Sequence, residues 1–119
     1  MGDSQNERYR PRTVFDGSDQ SFYYNEAIDD FSKAIQLDRE DKYNYYWRGR
    51  SHYELEEYEE AIDDYDKAVE LDPDFAEAYH WRGNSYYLLE SYERALDDAQ
   101  AIIDLGPLTL LIAPTIFEA

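Results

Sequence analysis

The residues best equipped for chemistry are acids and histidines. Glu77 and His80 stand three apart in Glu77-Ala-Tyr-His80, a spacing that puts both on one helical face, as in di-iron bundles. Such a site needs a second Glu-x-x-His and two further glutamates. Here the motif occurs once, and Tyr43 stands 34 residues before Glu77. The pairs Asp29-Asp30, Asp63-Asp64 and Asp97-Asp98 are neighbours in sequence, so on a helix their side chains diverge. They read as a solvated convex face rather than an acid/base couple. The chain has no cysteine, hence neither a disulfide framework nor a thiolate metal site. It has no Gly-rich phosphate loop, nucleophile elbow or Cys/His pair. The expectation is a protein with no enzyme activity, no metal and no cofactor.

Composition points the same way. The chain of 119 residues is long enough for one small domain. Hydrophobic residues make up 43% and aromatics 17%, with thirteen tyrosines, too much apolar material for a disordered chain. The net charge of −17 argues against nucleic acid or an anionic membrane surface, which need clustered Lys and Arg. A basic protein or peptide is electrostatically easier. The longest apolar run, Leu-Thr-Leu-Leu-Ile-Ala-Pro-Thr-Ile-Phe, is too short to span a bilayer. With no signal pattern at the N-terminus, an intracellular, cytoplasmic location is expected.

What must position any site is an internal repeat. Tyr45-Tyr-Trp-Arg-Gly-Arg returns as Tyr79-His-Trp-Arg-Gly-Asn, 34 residues on. The same offset relates Tyr53 to Tyr87, Leu55 to Leu89, Tyr58 to Tyr92, Ala61 to Ala95, Leu71 to Leu105 and Pro73 to Pro107. A partial earlier copy holds Tyr24, Ala27, Phe31, Ala34 and Leu37. Each copy reads as two helices. The first runs from about Tyr43 to Leu55, and again from Ala76 to Leu89. The second runs from about Tyr58 to Leu71, with an apolar stripe at Tyr58, Ala61, Ile62, Tyr65, Ala68, Val69 and Leu71. Asp72-Pro73 stops it. Gly49 and Gly83 fall in mid-helix, where glycine costs about 1 kcal/mol against alanine. A cost repeated at one place implies close approach of a partner helix, matched by the small Ala61, Ala68 and Ala95.

On Tyr45, Gly49, Tyr53, Tyr58, Ala61, Tyr65, Ala68 and Pro73, and on Tyr79, Gly83, Tyr86, Tyr92, Ala95 and Pro107, the chain resembles the tetratricopeptide repeat (TPR) family. The resemblance covers about residues 22–107. It implies an all-α solenoid of about two and a half helical hairpins in a right-handed superhelix, with the first helix of each pair lining a concave groove. It also implies binding of peptides or proteins rather than catalysis. The expected layout is a polar tail or remnant over 1–17, an array over 18–107 (18–41, 42–75 and 76–107), and an apolar tail over 108–119. Pro11, Phe15 and Gly17 stand where the first helix of the half repeat should run, and Ser18 or Asp19 would cap a helix reaching Leu37. The apolar tail should pack on its own array or on a neighbour, the second case making the chain a self-assembling scaffold.

A helical wheel separates the faces of the first helices. With Tyr45 at 0° and 100° per residue, Gly49 and His52 fall within ~40° of the core direction, while Tyr46, Tyr53, Arg50 and Glu54 fall at ~80° to ~180° and Trp47 at ~200°. The expected peptide-binding residues are therefore Tyr46, Trp47, Arg50 and Tyr53, with His80, Trp81, Asn84 and Tyr87 in the next copy. Aromatics beside Arg make a strong contact surface. The carboxylate clamp by which some family members grip chaperone tails needs lysines that these positions lack, so the set is incomplete. The acidic run Glu54–Glu60 reads as turn solvation plus favourable charge at a helix start.

Overall fold

The computed structural model describes residues 20–106, which are helical apart from short turns, with no strand among them. The polar tail expected over 1–17, the caps Ser18 and Asp19, and the apolar tail expected over 108–119 lie outside the described residues. Five helices follow one another: α1 Gln20–Leu37, α2 Lys42–Glu54, α3 Tyr58–Leu71, α4 Ala76–Leu88 and α5 Tyr92–Leu105. The bounds read from the repeat agree to within one residue at each end of α2 and α4. Short turns bring each helix back along its predecessor, and each packs on the next.

Local chemistry sets the ends. Asp41 caps α2, its side chain accepting from the Tyr43 N–H at 3.0 Å. Asp72 ends α3 in extended backbone, as a residue before proline must. The turns α2–α3 and α4–α5 pass through Glu56 and Glu90 at φ of 63° and 64°, a left-handed conformation that disfavours side chains with a Cβ. Replacing Glu90 by glycine should therefore raise stability by about 0.5 kcal/mol despite the freer unfolded chain. A thermal melt checks this, and no gain would show that the turn carries no strain. Glu59 and Glu60 occupy the first turn of α3, where acids favour the positive end of the helix.

The core joins Tyr45 and Tyr46 of α2 to Ala61, Tyr65 and Ala68 of α3, and to Phe75 and Ala78 at the start of α4. Gly49 is the point of closest approach. A Cβ there would lie 2.8 Å from Tyr65 Cε1 and 3.2 Å from Asp64 Cβ. Here α3 comes so near α2 that any Cβ would force the Tyr65 ring or the helix to shift.

The convex face is a correction. Asp29, Asp30, Asp63 and Asp97 are exposed, but Asp64 and Asp98 are buried. Adjacent helical residues point about 100° apart, so in Asp63-Asp64 and Asp97-Asp98 the second acid turns inward to an arginine, while Asp30 stays exposed. Arg48 donates to Asp64 through Nε and Nη2 at 2.9 and 2.7 Å, and through Nη1 to Ser32 Oγ at 3.1 Å. Arg82 repeats the pattern on Asp98 at 3.0 and 2.7 Å, with Nη1 reaching Asp66 at 2.8 Å. Each guanidinium ties its helix to the second helix of its own pair and to that of the preceding pair. Sequence reading missed this, although Arg48/Asp64 and Arg82/Asp98 share a separation of 16 residues.

Candidate functional site

The first helices α2 and α4 touch each other directly, whereas the second helices α1, α3 and α5 do not. The array therefore curves with α2 and α4 on its inner side. Charge is sorted by this curvature. Six acids face one lysine in the sequence of α3, and four acids face one arginine in α5. By contrast α2 carries Lys42, Arg48 and Arg50 against Glu54 alone, and α4 one residue of each sign. The acidity that suggested a basic partner is thus concentrated on the outer helices.

Arg50 is the hub of the inner side. Its guanidinium lies 3.9 Å from the centre of the Trp81 ring and 5.8 Å from that of Trp47, a cation–π contact strengthened by partial burial. Nη1 reaches the Tyr46 hydroxyl at 3.5 Å, and Nη2 pairs loosely with Glu54 at 3.6 Å. Its Nε is buried with no hydrogen-bond partner among the described residues, as are His80 Nδ1 and the Tyr65 hydroxyl. Buried polar atoms are nearly always satisfied, so the Arg50 Nε and the two atoms beside it mark a place where polar capacity remains unused.

The other expected residues divide around this hub. Trp47 is 46% exposed, stacked edge-on against Tyr46 at 4.9 Å. Trp81 is half-buried between Tyr53 at 5.2 Å and His80 at 4.8 Å. Tyr53 also meets Tyr58 at 5.3 Å. Asn84 is half-buried one turn further along α4, and Tyr87, exposed, packs on Tyr92 at the far end. Tyr46 is the exception. The wheel put it on the open face, yet it is only 6% exposed, with Phe75 of the next pair at 5.0 Å. A wheel describes one helix and does not see the neighbour that closes over it. The structure brings together Tyr46, Trp47, Arg50, Tyr53, His80 and Trp81, and leaves Tyr87 apart.

Burial holds the His80 imidazole below its ordinary value, Arg50 adds in the same sense, and Glu77 opposes them. The fold thus favours neutral His80, while the unfolded chain takes up a proton near pH 6.5. Stability should fall as the pH drops through that region towards the folded value, then cease to depend on this group. Melting temperatures between pH 7 and pH 5 should decline less in His80→Gln than in the wild type. Parallel profiles would remove His80 as the cause. The Glu77/His80 motif gathers no further ligand, for the described residues hold no group of three His, Asp or Glu placed for a metal ion.

No helix among the described residues is long and apolar enough to cross a membrane. Residues 49–90 match a family model described as TPR repeat. No curated protein matches the chain. Among solved structures it is similar to MamA, at 27% identity and TM-score 0.69 over 71% of this chain and 49% of that one. The chain therefore spans about half the length of MamA. It is similar to the TPR2B domain of yeast Sti1, solved in complex with pHsp70, at 27% identity and TM-score 0.65 over 85% of this chain and 78% of that one. The TPR domain of Arabidopsis OM64 is similar at 26% identity and TM-score 0.69, over 92% of this chain and 89% of that one. With its 34-residue period, paired helices and glycine-centred packing, the array has the fold of tetratricopeptide repeat domains, and residues 49–90 match that family's model.

Proposed function

We propose that the inner side of the array is a docking groove for an extended segment of another protein, with Trp47, Arg50 and Trp81 as its central contacts. The observation that carries this reading is the Arg50 hub: an accessible indole, a second indole under the guanidinium, and unused hydrogen-bonding capacity at Arg50 and His80. A peptide supplies matching groups, since its carbonyls accept hydrogen bonds and its apolar side chains cover indole faces. The Sti1 domain in complex with pHsp70 supports the general role. The sorted charge supports a neutral or acidic segment over a basic one, because the inner helices are not acidic while the outer ones are. The function is docking without catalysis.

Trp47 and Trp81 are the only tryptophans, so the groove carries its own reporter. Peptides selected on the protein from a random display library should shift the indole emission on titration. Trp47→Ala should remove most of that shift while leaving the melting temperature within a few degrees, as expected for a half-exposed side chain. Tyr46→Ala, in contrast, should cost about 3 kcal/mol of stability, as for other buried aromatics. Selected peptides that bind without touching the emission of either indole would place the binding surface elsewhere.

A further inference from the structure

The repeat makes α5 the counterpart of α3, and the two differ in one respect. Ile62 of α3 is 8% exposed, and Val69 is packed against the core. Their counterparts 34 residues on, Leu96 and Ile103, are 63% and 53% exposed. Yet Ala61 on α3 and its counterpart Ala95 on α5 are both buried. The side of α5 facing its own first helix is therefore complete, and the uncovered side is the one that on α3 meets the next first helix, α4. Leu96 and Ile103 are seven residues apart, two helical turns on one stripe.

We propose that residues 108–119 of the same chain dock on this stripe, in place of a further first helix. In the 34-residue register, residues 109–117 correspond to 75–83, the stretch that opens α4 against α3. They include Leu110, Leu111, Ile112, Ile116 and Phe117, and no charge stands between Pro107 and Phe117. The register also changes its polar contact on both sides at once. On α3 the contact is the ion pair of Asp66 with Arg82. The corresponding residues are Gln100 and Ile116, so an apolar residue arrives where the acid has been neutralised to an amide. Reach is sufficient. From Leu105 back to Leu96 is nine helical residues, about 14 Å at 1.5 Å each, which about five extended residues span. A second copy fits less well, since pairing two α5 stripes would bring two sets of Glu93, Asp97 and Asp104 together.

The test uses the absence of cysteine. Ile116→Cys in the full chain carries a nitroxide, and the amide signals of α5 are recorded by NMR. The proposal expects broadening of Leu96 to Ile103 within one molecule, and none when labelled chain is mixed with isotope-labelled unmodified chain. Broadening only in the mixture would give the stripe to a second copy, and no broadening in either would leave it to a foreign partner; both overturn the proposal. A second measurement compares melts. Leu96→Gln with Ile103→Gln should lower the melting temperature of the full chain by roughly 10 °C but that of chain 1–107 by under about 2 °C. Equal losses in both chains would also overturn it.

Discussion

Replacing Gly49 by leucine is expected to unfold the array at room temperature or leave it with a melting transition tens of degrees lower. The reason is distance. A Cβ at this position already meets the Tyr65 ring at 2.8 Å and Asp64 Cβ at 3.2 Å. Tyr65 is fully buried and part of the same cluster as Tyr45, Tyr46 and Ala61, so its ring cannot withdraw. Overpacking of this kind costs about 1–3 kcal/mol for a few added methylenes, and more when two helices must separate. Domains of this size shift by roughly 4–8 °C for each kcal/mol. Gly49→Ala sets two effects against each other, since alanine favours the helix by about 1 kcal/mol. The clash should win and leave a smaller net loss. Circular dichroism melts of the two variants decide it; a leucine variant as stable as the parent would mean that α2 and α3 do not approach as described.

The second large effect is expected from Asp98. Its carboxylate accepts from Arg82 Nε and Nη2, and it is only 3% exposed. Burial pushes this carboxyl upward, against the pull of Arg82. Burial alone would depress Arg82, but Asp98 and Asp66 more than offset it and hold the guanidinium charged. Asp98→Ala therefore leaves a largely buried cation with Asp66 as its remaining partner. Losing one member of such a pair costs about 3–5 kcal/mol, and the retained Asp66 contact puts the expected loss near 3. The neighbouring Asp97→Ala should cost under about 0.5 kcal/mol, as for an exposed surface residue. Denaturant unfolding of the two variants gives the contrast directly, and equal losses would refute the inward-turned second acid. Replacing Arg82 and Asp98 together by methionine and leucine should recover much of the loss.

Much of this molecule is written in its period. The offset of 34 residues located α2 to α5 almost to the residue, because glycine, alanine and proline each mark a backbone requirement that recurs with the fold. Contacts between repeats were less legible. Tyr46 looks peripheral on its own helix and is buried only because Phe75 closes over it. Asp64 and Asp98 look like solvated acids until Arg48 and Arg82, 16 residues earlier, are brought beside them. The tryptophans share one motif but not one environment. Trp81 has α2 to lean on, through Tyr53 and Arg50, while Trp47 lies beside no earlier first helix among the described residues and stays half-exposed. Identical residues acquire different roles from their position along the array.

A docking groove centred on Trp47 and Arg50 can be checked by one titration. A display-selected peptide is titrated calorimetrically into the wild type, Trp47→Ala, Arg50→Ala and a control bearing Glu59→Ala and Asp63→Ala on the outer helix. Affinity should be at least tenfold weaker for the first two variants, the loss of about 1.4 kcal/mol or more expected at a contact hot spot, and unchanged for the control. Unchanged affinity in Trp47→Ala and Arg50→Ala with a loss in the outer-helix control would contradict it.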